Sequence, residues 1–595
     1  MQNKFDAVIV GGGVVGALVA KILSEAGKHV LILEAGIEGA MKPSTYQEYL
    51  EKLYTEGGVR GMPNGPYPWN ASAPSPGIPM APSSYYVYKT GQHFMSDYLR
   101  MLGGTTLHWQ GSSIRMVPND FRMKSVYGQG RDWPLTYNDL ESSYRRAEFE
   151  LGVSADVEDQ LKLKFVGKFA KGYVYPMHRL PASRVDQFFE KVLRNRTVNL
   201  EGKDYPLTVV GIPSGRNSTP NEKYNGNEGY NPVSAIDDRD KGLRCQGNSC
   251  CMPICPVQAK YSALKTINEI VHKYKGRVEI KTQSVASKLI IDNDSGRISA
   301  VEYKHYDKPG SVNFTTERVE GTLIVIAANA IENATLLLAS GAAKNSGQVG
   351  CNLMDHPYLY AWGYSPERVF PFRGPDTTSG VESLRDGDFR KVHASFRASL
   401  ANWGWSGEPG TQIANLLKER AYGDYFRKTL GDRMTRMVKI GFMFEQLPSE
   451  SNCVTISEDY KDQLGNYRPV LSYSYDPYSL KGAEAAVSQV WKAITQYGKI
   501  IDQTQYPTPA PPGYQAVTFD NKNYNLMGSG HIVGTHRMGF SKYDSVTDFN
   551  MKCWDHSNLY VVGGGSHVTI GTANPTLTTA ALAVRAAEAM IKQLI

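Results

Sequence analysis

Residues 5–36 read FDAVIVGGGVVGALVAKILSEAGKHVLILEAG. A short apolar run, 7–10, leads into Gly11-x-Gly13-x-x-Gly16. A helix of apolar period follows, and a second apolar run, 30–33, ends at Glu34. Strand, glycine turn, helix, strand and acid in this order form a βαβ dinucleotide fingerprint. Gly11 allows the tight turn, Gly13 lets backbone approach a pyrophosphate, and Gly16 lets helix and strand pack closely. Glu34, eighteen residues beyond Gly16, can accept from ribose hydroxyls, which suits NAD or FAD rather than NADP.

The rest of the chain is far longer than this unit needs. With 595 residues, two large domains or one two-lobed unit is expected. Hydrophobic residues at 41% and charged residues at 21% are ordinary globular values. The net charge of +7 is spread without long Lys/Arg runs, which argues against nucleic acid as a partner. No run of 18 apolar residues exists, so no transmembrane segment is expected. The start runs directly into a strand without a signal-peptide pattern, so the chain is cytoplasmic unless a partner carries it out.

Residues 58–90, GVRGMPNGPYPWNASAPSPGIPMAPSSYYVYKT, are too proline-rich for any regular element and read as part of an excursion or lid over about 40–95. β patterning returns over 278–327. A last β-like run, NLYVVGGGSH, passes through TIGTANPTLT into a C-terminal helix. The nucleotide unit therefore sits at both ends with other material inserted, which favours FAD over NAD. The expected division is an α/β FAD-binding domain over 1–150, 241–365 and 521–595. A mainly antiparallel substrate domain takes 151–240 and 366–520.

Two residues in glycine-rich loops near the C-terminus, His531 and Asn574, have the chemistry to oxidise an alcohol. An imidazole titrating near neutrality can take a hydroxyl proton. A carboxamide can donate one hydrogen bond and accept another. His536 and His567 compete for the role of base, and both are expected to be supporting residues.

Four of the seven cysteines, Cys245, Cys250, Cys251 and Cys255, fall within LRCQGNSCCMPICPVQAKY, residues 243–261. An iron–sulfur cluster, a zinc site and a disulfide are all open from spacing. The Cys251-x-x-x-Cys255-Pro256 ending is similar to ferredoxin runs, and no second cysteine pair is present to complete a zinc site.

Several segments now carry a family resemblance. They are GGGVVG with Glu34, LGGTTLHWQGSSIRMVPNDF (102–121), IVIAANAIENATLLLASG (324–341), VGCNLMDHP (349–357), GHIVGTHRMG (530–539) and NLYVVGGGSHVTIGTANPTLTTAALAVR (558–585). Together they resemble the glucose–methanol–choline (GMC) oxidoreductases, and GRDWP with the cysteine segment resembles their bacterial FAD-dependent sugar dehydrogenase branch. The resemblance implies a two-domain flavoprotein with His531 as base and Asn574 orienting the hydroxyl. It implies FAD contacts from Gly11, Gly13, Gly16, Glu34, Gly103, Gly104, Thr105, Val285, Ala327, Gly564 and Thr576. In part of the family a His near Thr105 carries the flavin covalently, and His108 would do so here. The branch also implies a 3Fe–4S cluster on a C-x5-C-x3-C set, which Cys245, Cys251 and Cys255 match.

The implied activity is dehydrogenation of a sugar or glycoside, glucose at C1 or a glucoside at C3. Gly530 stands where the glucose dehydrogenase pattern has Asn, which favours a glucoside 3-dehydrogenase. An O2-using sugar oxidase similar to pyranose 2-oxidase is the alternative. The implied partners are a small chaperone-like subunit with a twin-arginine signal, which would carry both chains to the periplasm, and a cytochrome c acceptor.

Overall fold

The computed structural model describes residues 5–38, 47, 51, 85–107, 109–232, 243–247, 251, 255–308, 311–402, 408–511 and 513–595. The opening stretch folds as its pattern demands: β1 (Ala7–Val10), α1 (Val14–Glu25) and β2 (Val30–Leu33). These strands join a five-stranded parallel sheet in the order Leu559–Val561, Leu323–Ile326, β1, β2, Val278–Lys281. The nucleotide sheet is thus assembled from the N-terminus, the middle and the C-terminus of the chain.

Both faces of this sheet are covered, which explains its unbroken apolar runs. Ala7, Ile9, Val30 and Ile32 pack against α1 and the helix Thr576–Gln593. Their neighbours Val8, Val10, Leu31 and Leu33 face the antiparallel strands Ser284–Ile291 and Ile298–Tyr306. The period-2 alternation of strand side chains makes the two layers.

The second body is built on a six-stranded sheet, antiparallel throughout. Its order is Ile501–Asp502, Tyr358–Tyr364, Met437–Phe444, Phe396–Leu400, Ser379–Val381, Val209–Gly211. One face is oily: Leu359, Ala361, Phe396, Ala398, Phe442 and Phe444 pack on the helices Arg184–Leu193 and Pro477–Ala485. The opposite face carries Tyr358, Tyr360, Arg397, Ser399 and Met443, and these line the large cavity between the bodies.

Two boundaries differ from expectation. Strand Tyr358–Tyr364 pairs with Met437–Phe444, so the substrate sheet begins before residue 366. The segment that ends the proline-rich excursion is also partly regular. Val87–Gly91 pairs in parallel with Val470–Tyr473, because prolines stop at Pro82 and the β-prone YYVYKT that follows is free to join a ladder. Most of the expected lid lies outside the described residues.

Candidate active site

A cavity of about 860 Å³ runs from the glycine turn to the substrate sheet. At one end lies the fingerprint. A Cβ on Gly16 would stand 1.9 Å from the Gly11 carbonyl oxygen, so only glycine lets α1 approach β1. Gly11 has φ +107°, and its Cβ would meet the Ala327 backbone at 2.8 Å. A Cβ on Gly13 would meet nothing within 4 Å, so the backbone there borders open space where a pyrophosphate fits. No side chain caps the start of α1 at Gly13, which leaves its first N–H groups for an anion.

Glu34 accepts from the Gly12 N–H (2.7 Å) and the Gly36 N–H (2.8 Å). Burial raises its carboxyl above the usual range, and those backbone donors and Arg100 oppose the rise. Gly104, Thr105, Val285, Ala327, Gly564 and Thr576 border the same cavity. Gly16 and Gly103 serve packing instead: a Cβ on Gly103 would strike Leu264 at 2.9 Å. His108 lies outside the described residues, while its neighbour Trp109 borders the cavity.

At the other end the structure brings His531 and Asn574 together. Asn574 Nδ2 lies 3.0 Å from His531 Nε2. On its far side, His531 Nδ1 lies 2.9 Å from Nδ1 of His356. His356 Nε2 is 2.9 Å from the Gly571 carbonyl oxygen, so it carries the hydrogen and donates. Arg397 Nη1 donates to Asn574 Oδ1, and its Nε (3.0 Å) and Nη2 (2.9 Å) donate to Glu382. Asn574 therefore has its oxygen engaged by Arg397 and turns its N–H toward His531.

Asp355 holds the two histidine backbones, accepting from the N–H of His531 (2.9 Å) and of His356 (2.8 Å). Gly571 is held from below. It has φ +58°, and a Cβ there would strike Asp120, which is paired to the fully buried Arg390. Arg390 also binds Asp386 (3.0 Å) and Glu445 (2.6 Å).

Burial drives His531 well below the usual imidazole range, helped by His356 and Arg397, and pushes His356 down to about 3. Both rings are thus neutral in ordinary buffers. A neutral imidazole with Nε2 toward a polar cavity can take a proton from a hydroxyl. His536 and His567 are turned to support: His536 Nε2 pairs with Asn333 (3.0 Å) and His567 Nε2 with Thr579 (3.0 Å).

His356, Arg397 and Glu382 were not singled out in the sequence. His356 sits inside the MDHP segment. Arg397 had only the alternation of FRASL, with polar residues between apolar ones, to mark it.

Cys245, Cys251 and Cys255 do not line the cavity. Cys251 is buried, and Cys245 and Cys255 are partly exposed; Cys250 lies outside the described residues. Arg216 Nη1 lies 3.7 Å from Cys251 Sγ. The buried Lys260 ammonium donates to the carbonyls of Cys251 (2.5 Å), Trp109 (2.6 Å) and Leu107 (3.1 Å), tying the loop to the cavity wall. Burial pushes the Cys251 thiol up to about 12, and Arg216 and Lys260 oppose this. Thiols backed by cations suit an anionic cluster. Among the described residues, however, no three His, Cys, Asp or Glu side chains converge as a metal-ligand set, so the expected Cys245/Cys251/Cys255 ligation is not assembled here.

Comparison with known proteins places this architecture. Residues 221–358 match the N-terminal pattern of the GMC oxidoreductases and residues 448–583 the C-terminal pattern. The chain is a GMC oxidoreductase. This oxidoreductase is 29% identical to the fructose dehydrogenase large subunit of Gluconobacter japonicus, over 99% of the chain and 98% of the relative. It is 22% identical to the gluconate 2-dehydrogenase flavoprotein of Pantoea cypripedii, over 99% and 94%. Pyridoxine 4-oxidase from Mesorbium loti shares the fold, with a TM-score of 0.59, 18% identity and coverage of 98% and 99%. As a family member the oxidoreductase uses FAD and acts on CH–OH groups, and the open glycine cradle, Glu34 and the cavity volume fit that cofactor. Among the described residues, no helix is long and apolar enough to cross a membrane.

Proposed function

We propose that the enzyme is a dehydrogenase that oxidises a secondary or anomeric hydroxyl of a neutral sugar or glycoside. The observation that carries this reading is the wall facing His531. Tyr358, Tyr360 and Tyr514 offer aromatic faces, Ser399 and Gln110 offer polar edges, and the Arg397 guanidinium is already paired with the Glu382 carboxylate and bonded to Asn574. Aromatic faces suit the apolar face of a pyranose ring, and polar edges suit its hydroxyls. A guanidinium whose charge is already paired with Glu382 offers little net charge to the carboxylate of an aldonic acid.

FAD, when bound, supplies the hydride acceptor. His531 Nε2 takes the hydroxyl proton, and Asn574 Nδ2 donates to the hydroxyl oxygen. For this, the sugar hydroxyl replaces the direct contact between the two side chains.

Cys245, Cys251 and Cys255 are further proposed to hold a 3Fe–4S cluster, a one-electron carrier. Their spacing and the cations at Arg216 and Lys260 support this, and the loop would have to draw the three sulfurs together to bind it. In the same reading a small subunit with a twin-arginine signal carries the enzyme to the periplasm, and a cytochrome c accepts its electrons. Support comes from the relative named as a large subunit.

The test is anaerobic addition of glucose, methyl glucoside, fructose and gluconate to the purified enzyme, with iron analysis. Rapid flavin bleaching by a neutral sugar, with iron that is lost in Cys251→Ser, supports the reading. Preference for gluconate refutes the neutral-sugar assignment. Fast reoxidation in air with peroxide, in a protein free of iron, makes it an oxidase.

A further inference from the structure

We propose that Arg397, held by Glu382, is a positioning residue that sets the direction of every hydrogen bond through the His531–Asn574 pair, so that His531 presents an unprotonated Nε2 to the substrate. The proposal rests on the reading of His531 as the base.

The chain of contacts has two ends that cannot reverse. A guanidinium only donates and a peptide carbonyl only accepts. Arg397 donates to Asn574 Oδ1, which commits that oxygen and turns Nδ2 to His531. Nδ2 can only donate, so His531 Nε2 receives with its lone pair. At the other end His356 Nε2 donates to Gly571, so His356 Nδ1 bears a lone pair and His531 Nδ1 must carry the hydrogen between them. Four hydrogen bonds run one way from Arg397 to Gly571. Were the Asn574 amide to turn over, Oδ1 would face His531 Nε2 and demand a proton there. His531 Nδ1 would then meet His356 Nδ1 with two facing lone pairs.

Arg397 is placed for this task. It sits on the cavity face of strand Phe396–Leu400, while Phe396, Ala398 and Leu400 point to the core. Glu382 accepts from its Nε and Nη2, which fixes the plane of the fork and leaves Nη1 for Asn574. Among the described residues, no carboxylate side chain bonds the imidazole of His531; Asp355 accepts from its backbone N–H. In the Ser-His-Asp arrangement a carboxylate sets the tautomer of the base. Here an arginine does so from the opposite side, acting through an amide. The guanidinium charge also disfavours imidazolium at both His531 and His356.

The first measurement needs no substrate. In FAD-loaded enzyme labelled with 15N-histidine, correlation spectra assigned with H531N and H356N should show His531 as the Nδ1–H tautomer near pH 7.5. R397M should lose that single tautomer. The second uses the fastest sugar of the bleaching test, in anaerobic stopped flow. R397M should slow limiting flavin reduction at least about tenfold, a fraction of what a positioned base supplies. The apparent sugar dissociation constant should stay within about threefold, a split expected of an element that acts on the transition state.

The acid limb should move to higher pH, since R397M removes a cation facing His531 and leaves Glu382 paired with Arg385 alone, with His356, Asn574 and Asp355 unchanged. R397K, which can still donate to Asn574, should recover part of the rate. It also serves as the test variant if R397M does not retain FAD. Wild-type protein with the Nε2–H tautomer overturns the proposal. So do R397M and R397K that reduce flavin at the wild-type rate, or that weaken only sugar binding. H531A bleaching at the wild-type rate would instead sink the assignment of the base, whatever Arg397 does.

Discussion

The Nδ1 atoms of His356 and His531 lie 2.9 Å apart, with the two rings perpendicular and their centroids 5.0 Å apart. Two neutral imidazoles can sit so close only if one donates and the other accepts. The Gly571 carbonyl settles which, because it makes His356 spend its hydrogen on the far side.

His356→Phe should therefore keep the ring's volume and lose the acceptor for His531 Nδ1–H. The expected result is a fall of about tenfold or more in limiting flavin reduction, within the range ascribed to a correctly presented base. FAD content should be unchanged. Stopped-flow reduction beside the visible spectrum checks both.

Acid should unfold the protein before it silences His531. Burial pushes His356, His536 and His567 each to about 3 and His531 well below its usual value. In the unfolded chain these groups bind protons below about pH 6.5. Between about 6.5 and 3 the unfolded state then holds more protons, so stability rises with pH in that window. Stability is full above about 6.5 and lost progressively as pH falls. Denaturation midpoints taken from pH 8 to pH 4 should drop steeply below 6.5, while initial rates at those pH values show no matching loss.

Arg390→Met should be severely destabilising. It leaves Asp120, Asp386 and Glu445 buried without their common cation. Removing one partner of a buried ion pair typically costs about 3–5 kcal/mol. A urea midpoint close to the wild-type value would show that another group neutralises the acids. Because Asp120 backs Gly571, a folded variant should also show slower flavin reduction.

Glu34→Ala should weaken FAD without harming the sheet. The carboxylate joins the Gly12 and Gly36 amides and faces the cavity with lone pairs to spare. Hydrogen bonds to a charged group contribute about 1.5–3 kcal/mol, or roughly 10- to 100-fold in the FAD dissociation constant. Fluorescence titration of the apoprotein measures it. Gly16→Ala should do worse and fail to fold, since its Cβ would stand 1.9 Å from the Gly11 oxygen.

What could be read in advance was local. The glycine fingerprint, the apolar strands and Glu34 declare themselves within thirty-two residues, because backbone clearance and strand alternation act between near neighbours. The three glycine roles drawn from that stretch agree with the clearances found at Gly11, Gly13 and Gly16. His531 and Asn574 were legible as a pair only through resemblance, since 43 residues separate them.

Arg397, Glu382 and His356 were not legible as site residues. Their meaning comes from long-range register: Phe396–Leu400 lies beside Met437–Phe444, which lies beside Tyr358–Tyr364. The pairing decides which of two alternating faces meets the cavity and which meets the helices. By itself, then, the sequence determined a dinucleotide-binding βαβ unit split across the chain, and the side-chain chemistry on offer. The tertiary structure alone decided which face of the antiparallel sheet is wet and which way each hydrogen bond at His531 runs. A donor's direction depends on what its partner has already given away, and those partners are brought together only by folding.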